Sequence, residues 1–374
     1  MRYLYYCNST YQILNVLNLN WHRRYAGFEH IEDYHSDLVV LNTFEGAEQI
    51  AEIIRQSGVF DHVMLMKKTF NTGVFHSLLT LIDTVSPLFY MWNKHGVRKG
   101  EILDKYDVIT TPKYSSLIDA IWQLNRKARL DLIEDGTATY NMVINLKSNS
   151  GKIEKLRQML SYNDFHDYEN LYLVSKNLYS GINPEKVIEI PAFDESYLEK
   201  IKNDFSAFSD KYAQKDIYWL SQFLNNEEFN RMVDKVLSSV SSYKDDVLFV
   251  QHPRKHMDNK YGFAETDGKQ IWELMMLKMK DINSKLFISI HSTASYTAKM
   301  LYGLEPYIIL FYKLGDRKVT AANDDFESFL EKFKANYSDP DKIMVPETIE
   351  EFKECLERYY VLTGKQRDRG PDNI

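Results

Sequence analysis

Cysteine is almost missing from this chain of 374 residues. Its two cysteines, Cys7 and Cys355, cannot build a disulfide framework and suit a reducing compartment. A basic surplus is missing as well: the formal net charge of -7 excludes a general nucleic-acid binder, so any anionic ligand needs a local arrangement of donors. The first eight residues lack an apolar core long enough for a secretory signal. The longest greasy stretch, 74–92, is interrupted by His76, Asp83 and Pro87, which fits a buried or interfacial helix rather than a membrane span. These absences predict a cytoplasmic protein, at most peripheral at the inner face of the cell membrane. A short basic patch at 365–369 leaves attachment open. There is no internal repeat at solenoid periods and no low-complexity tract. No Gly-x-Gly-x-x-Gly or Walker-type loop is present, which argues against the usual dinucleotide and ATP sites, and no Gly-x-Ser-x-Gly nucleophile elbow is present either.

What is present is a soluble globular composition, 44% hydrophobic and 26% charged, in a chain long enough for two cores. Short apolar runs at 2–7, 37–41, 62–66, 106–110 and 128–133 alternate with helical spacing at 10–21, 45–56, 74–92 and 114–127. That alternation predicts parallel strands joined by helices. Residues 140–183 are less periodic and are expected to be loops with a short helix at 153–160, and 197–240 to be mostly helical. The rhythm then resumes with strands at 247–251, 286–290 and 307–310, helices at 270–280 and 294–302, and terminal helices at 326–335 and 349–360. Two Rossmann-like, doubly wound domains are expected, 1–175 and 176–374, with the boundary between 163 and 191. Two such halves make a cleft, where small ligands usually bind.

Three strand ends carry chemistry. At 128–136 an apolar run stops at Glu134-Asp135-Gly136, and in open α/β sheets the ligand crevice lies beyond the carboxyl ends of the strands. A carboxylate there, Asp135, can accept a proton from an attacking sugar hydroxyl, with Glu134 turned the other way and Gly136 permitting a sharp turn. An acidic turn closed on its own backbone explains the same residues. At 247–253 a strand ends in His252-Pro253, and the proline pushes the histidine toward extended geometry. Its imidazole could donate a proton or hydrogen bond to a leaving phosphate, with Arg254 and Lys255 adding positive charge. An exposed strand-end histidine, or a metal site with His256 and Asp258, are the alternatives, the latter lacking helical spacing to converge the ligands. At 286–293 a strand runs into Ser292-Thr293 and a helix start, an arrangement apt for an anion and equally for simple capping. Asp339-Pro-Asp341 matches an Asp-x-Asp metal motif but reads as a loop near the C-terminus.

The order Glu134-Asp135-Gly136, His252-Pro253, Ser292-Thr293 on two α/β halves resembles the bacterial sialyltransferases. The run Tyr6-Cys-Asn-Ser-Thr-Tyr-Gln-Ile-Leu14, with His252-Pro-Arg254, is most similar to glycosyltransferase family 52, the lipooligosaccharide and capsule sialyltransferases. The resemblance implies a GT-B fold with two domains facing a central cleft: an acceptor-side N-terminal domain bearing the general base, and a donor-binding C-terminal one. It implies an inverting enzyme with CMP-sialic acid as donor, no cofactor and no metal. The acceptor would be a terminal galactose of a bacterial surface glycan, joined α-2,3. Asp135 would be the general base, and His252 would assist departure of the CMP phosphate. Ser292 and Thr293 would hold that phosphate, and Glu134, Gly136, Pro253, Arg254, Asn8, Ser9 and Thr10 would contact substrates. A hexosyltransferase using another nucleotide sugar and a non-catalytic glycan-binding subunit are the competing expectations. No nucleic-acid partner is expected, and a homodimer is compatible with the sequence.

Overall fold

The computed structural model describes residues 1–29, 31–67, 86–87, 90–91, 106–113, 115–140, 168–208, 214–222, 226–320 and 322–365. The helices expected over 74–92 and 153–160 lie outside the described residues, apart from 86–87 and 90–91. The chain divides into two units, Met1–Asp194 and Glu195–Ile374.

The first unit is built on a seven-stranded sheet in the order β3-β2-β1-β4-β5-β6-β7. Its strands are β1 (Arg2–Cys7), β2 (His35–Asn42), β3 (His62–Lys67), β4 (Val108–Thr111), β5 (Arg129–Ile133), β6 (Asn170–Leu173) and β7 (Val187–Glu189). Every pairing is parallel, and the central strands are buried on both faces, which is why β1 and β4 read as continuous apolar runs. Strand order reverses between β1 and β4, the switch point beside which ligands collect in such sheets. Helix α1 (Thr10–Tyr25) follows β1, and Ser9 caps it by accepting the Gln12 N–H at 3.3 Å. The spacing of Ile13, Leu14, Leu17 and Trp21 predicts one buried face, yet residues 11–20 are buried all round. Two of its inward polar side chains find partners, the Asn18 amide donating to the Pro191 carbonyl at 2.7 Å and the Asn20 amide to that of Val59 at 2.8 Å, whereas the buried Asn15 amide has none among the described residues. Helix α2 (Ala47–Ser57) ends at Gly58 in the left-handed region, and α3 (Ser116–Leu124) starts at a Ser115 cap.

The second unit carries a six-stranded parallel sheet in the order β10-β9-β8-β11-β12-β13. Its strands are β8 (Ile217–Leu220), β9 (Val247–Val250), β10 (Ala264–Glu265), β11 (Leu286–Ser289), β12 (Tyr307–Leu310) and β13 (Ile343–Met344). Helices α4 (Glu195–Asp204), α5 (Glu227–Val240), α6 (Trp272–Met276), α7 (Thr297–Tyr302), α8 (Asp324–Ala335) and α9 (Ile349–Thr363) surround it. One face of the sheet packs Tyr218, Leu248 and Phe287 against Trp272, Met275 and Ala298. Two parallel α/β domains are therefore present.

Three departures from expectation have physical causes. The division falls after Asp194 rather than at 175, because β6 and β7 extend the first sheet by pairing beyond β5. Both lie in sequence expected to be loop or linker. Within the stretch expected to be mostly helical, Ile217–Leu220 is instead the strand at the middle of the second sheet. Runs this short and apolar carry no periodicity that separates strand from helix. Finally, the helix expected at 294–302 is broken into a 3-10 turn, Thr293–Ser295, and the short α7. The Ala294 carbonyl, which a continuous helix would pair with residue 298, instead accepts the Trp272 indole N–H at 2.8 Å and the Thr297 hydroxyl at 3.1 Å.

Candidate active site

In the first unit three strand ends meet around Asp135. Strand β5 runs out into Glu134 and Asp135, and the alternation of the strand sends these neighbours to opposite sides. Glu134 is fully buried. Its carboxylate accepts the Tyr11 hydroxyl on one oxygen, and the Tyr140 hydroxyl and the Val174 N–H (2.9 Å) on the other. Burial pushes this carboxyl up to about 7, against the pull of those three donors. Glu134 is thus the post to which β1–α1, β5 and the segment after β6 are tied. Gly136 follows with φ of 115°, a conformation that side chains disfavour, so the turn needs glycine. That turn is closed by Thr139: its N–H donates to the Gly136 carbonyl at 3.0 Å, and its hydroxyl accepts the Asp135 N–H at 3.0 Å.

Asp135 faces the other way, its side chain 29% exposed. One oxygen accepts the Gln12 side-chain N–H, and the other accepts the Lys113 ammonium at 3.0 Å. Gln12 is fully buried, and its amide oxygen accepts the Asn8 N–H at 2.7 Å. Lys113 stands in the turn after β4, where its carbonyl accepts the Thr111 hydroxyl at 2.8 Å. The ends of β1, β4 and β5, adjacent in the sheet at its switch point, are therefore laced together through one carboxylate. Asn8 and Ser9, expected at this site, belong to that lacing: Asn8 supplies the N–H that fixes Gln12, and Ser9 spends its hydroxyl on the α1 cap. Thr10 is half-buried at the first position of the helix.

Four residues of this arrangement were not picked out as site residues by the sequence: Gln12, Lys113, Tyr11 and Tyr140. The signal for two of them was present, because Tyr11 and Gln12 stand in the first turn of the helix that follows the end of the first strand. Lys113 and Tyr140 carried none, being a lysine after a strand and a tyrosine among twenty-six.

The second unit gathers the other two motifs at its own carboxyl edge. His252 and Pro253 follow β9, Ser292 and Thr293 follow β11, and β8 runs between those strands. The spacing of neighbouring strands puts the two ends roughly 10 Å apart. The His252 Nδ1 accepts the Arg254 N–H at 3.2 Å. In the neutral ring this leaves the proton on Nε2, as a donor. Burial, with the positive charge of Arg254, holds the imidazole below its usual range. His252 and Pro253 are half-buried, whereas Arg254 and Lys255 are exposed.

Ser292 is used as a cap, its hydroxyl accepting the Ala294 N–H at 3.4 Å, while its own N–H donates to Ser289 Oγ at 3.1 Å. Ser292 thus caps a 3-10 turn that Thr293 opens, not the expected helix start. Neighbouring His291 is engaged on both sides, its N–H donating to Gln222 at 3.0 Å and its Nε2 lying 2.6 Å from the Thr320 carbonyl. Among the described residues no group of three or more His, Cys, Asp or Glu side chains is placed to hold a metal ion, which includes His252, His256 and Asp258. Asp339 accepts the Asp341 N–H at 3.1 Å as the cap of a surface turn. Among the described residues no helix is long and apolar enough to cross a membrane.

Several solved structures are similar in shape over most of the chain. A spinosyn rhamnosyltransferase, SpnG, complexed with thymidine diphosphate is 9% identical, with 97% of this chain and 92% of that one covered at a TM-score of 0.44. A sialyltransferase from Photobacterium damsela is 11% identical, covering 92% and 81% at 0.44. A UDP-GlcNAc 2-epimerase from Neisseria meningitidis, bound to UDP-GlcNAc, is 11% identical, covering 100% and 97% at 0.44. No curated protein sequence is significantly similar to the chain. The family model of the alpha-2,8-polysialyltransferases (POLYST) matches residues 4–303, a span that takes in Gln12, Lys113, Asp135, His252 and Ser292, and the chain is a glycosyltransferase belonging to that family.

Proposed function

We propose that the protein is an inverting sialyltransferase that moves sialic acid from CMP-sialic acid to a terminal sugar hydroxyl of a bacterial surface glycan, lipooligosaccharide or capsule. Asp135 is the general base in this reading: it takes the proton of the acceptor hydroxyl as that oxygen attacks the anomeric carbon. His252, through Nε2–H, donates to the phosphate oxygen on which the bond's electron pair departs with CMP. Ser292 and Thr293, with the backbone N–H groups around them, hold the phosphate, and Arg254 and Lys255 add positive charge. CMP leaves as a monophosphate and gains less charge than a nucleoside diphosphate, so donors of this kind are proposed to suffice without a metal. Orientation of donor and acceptor is worth roughly 7–11 kcal/mol of the barrier in well-placed pairs.

The observation that carries the proposal is the division of labour at the end of β5. Glu134 is consumed by three internal donors, whereas Asp135, its neighbour, is partly exposed at the switch point of the sheet. A carboxylate fixed from behind by Gln12 and held in front only by the half-exposed Lys113 ammonium suits a proton acceptor. The motif resemblance points to α-2,3 transfer onto galactose and to family 52. The family shown for the chain carries α-2,8 in its description, which points to a sialic acid terminus instead. Incubation with CMP-sialic acid and acceptors ending in galactose or sialic acid, followed by mass and linkage analysis, tests this. Transfer abolished in Asp135→Asn is the expected result. Equal activity in that variant would remove Asp135 from the mechanism, and tighter retention of UDP than of CMP would favour a hexosyltransferase.

A further inference from the structure

Both oxygens of the Asp135 carboxylate are engaged, and by partners of opposite mobility. Gln12 is fully buried and pinned at its other end by the Asn8 N–H, so its contact cannot be traded without opening the turn between β1 and α1. Lys113 is 42% exposed and reaches Asp135 at 3.0 Å on a flexible stem from the turn after β4. A base that accepts the acceptor's proton loses its negative charge, and the ammonium beside it then faces a neutral acid. With a neutral acceptor the pair passes from balanced to net positive as the proton moves, which opposes the transfer. An acceptor bringing its own carboxylate leaves the ammonium balanced at the end of the step.

We infer that Lys113 reads the charge of the acceptor: its ammonium trades the Asp135 carboxylate for a carboxylate on the incoming glycan, so the site selects a sugar-acid terminus and frees its base on binding it. This rests on the transfer reaction proposed above. The step balances. The hydroxyl proton passes to Asp135 Oδ2, the hydroxyl oxygen bonds to the anomeric carbon, and the bond from that carbon to phosphate breaks with its pair leaving on CMP. Lys113 contributes no proton and remains cationic throughout.

The test is a double-mutant cycle across protein and acceptor. A sialic-acid-terminated oligosaccharide and its carboxyl-reduced counterpart are each assayed with wild type, Lys113→Met and Lys113→Arg, at saturating CMP-sialic acid. Removing either the ammonium or the carboxylate is expected to lower acceptor kcat/KM roughly tenfold or more, chiefly through KM, the size of one charge-assisted hydrogen bond. Removing both should cost no more than removing one, and Lys113→Arg should recover most of the loss. Losses that multiply, or a wild type indifferent to the carboxylate, overturn the inference. Asp135→Asn distinguishes the two levels: if it is inactive while the losses multiply, the transfer reaction stands and Lys113 does not read the acceptor. If it transfers like wild type, the base assignment falls and takes this inference with it.

Discussion

Replacing Glu134 with glutamine should make the first unit more stable at pH 8 and leave it nearly unchanged at pH 5. The carboxyl is raised from 4.5 to about 7, with burial the leading cause. Below about pH 4.5 the folded and unfolded chains both hold the proton, and no penalty exists. Between 4.5 and 7 the folded state holds more protons than the unfolded one, so stability falls as pH rises. Above 7 the whole cost of keeping a buried carboxylate ionised is present, about 3 kcal/mol from the size of the shift. Glutamine is neutral at every pH and can fit the same partners. Its oxygen can accept Tyr140 and Val174, and its N–H₂ can donate to the Tyr11 hydroxyl. For a unit of this size about 3 kcal/mol corresponds to roughly 6–12 °C in Tm. Calorimetry of wild type and Glu134→Gln at pH 5, 6.5 and 8 should therefore show two profiles that meet at low pH and diverge upward. Glu134→Ala, by contrast, strands three buried donors, each worth about 1–3 kcal/mol, and should lose stability even at pH 5. Parallel profiles for wild type and Glu134→Gln would refute the reasoning, since they would mean that the carboxyl changes no charge on folding.

Other outcomes follow from the same geometry. His252→Ala should lower kcat for sialyl transfer by roughly 10²–10³, the usual loss on removing one donor to a developing oxyanion, with acceptor KM nearly constant. An unchanged kcat would take the imidazole out of the leaving-group step. Ser292→Ala removes the Ala294 cap and should cost about 1 kcal/mol of stability. Its donor KM should also rise, and a donor KM equal to wild type would leave Ser292 as a cap alone. Glu273, buried with one carboxylate oxygen lacking a partner among the described residues and raised to about 7 by burial, should behave in the second unit as Glu134 does in the first. Glu273→Gln is expected to raise Tm at pH 8 and not at pH 5, and a loss at pH 8 would contradict an unpartnered charge.

Strands that are buried on both faces declare themselves, which is why Arg2–Cys7, Arg129–Ile133 and Tyr307–Leu310 are legible within a residue or two. Helices with strong caps are equally legible: Ser9 opens α1 and Gly58 closes α2. What escaped were elements whose identity depends on their neighbours. Ile217–Leu220 is four apolar residues between polar flanks, and only pairing with β9 and β11 makes it the centre of a sheet. Strand β7 is the edge of the first sheet and β6 lies next to it, and both are runs of only three or four residues. The site was legible in the same proportion. Asp135 and His252 stand at strand ends and could be nominated from position alone, whereas Lys113 and Gln12 matter only because β1, β4 and β5 are neighbours in space. The break in the helix after Thr293 was also invisible, because it depends on an indole N–H from Trp272, a residue twenty-two positions away from the carbonyl it takes.

Glu134 and Asp135 also show why motif chemistry cannot be assigned by residue type. Both are carboxylates, both end the same strand, and each accepts hydrogen bonds. What separates them is the alternation of the strand, which turns one inward to hydroxyls and an N–H with nowhere else to go, and the other outward to a movable ammonium. The inward carboxylate cannot serve an acceptor without unpicking the unit, so its ionisation bears on stability. The outward one has its rear oxygen bound by Gln12 and its front oxygen held only by the half-exposed Lys113 ammonium, which is why it, and not Glu134, is the one proposed as the base. A substitution that shifted the strand by one residue would exchange the two environments. It would bury Asp135 and expose Glu134 while leaving the pair of acidic residues in the sequence intact.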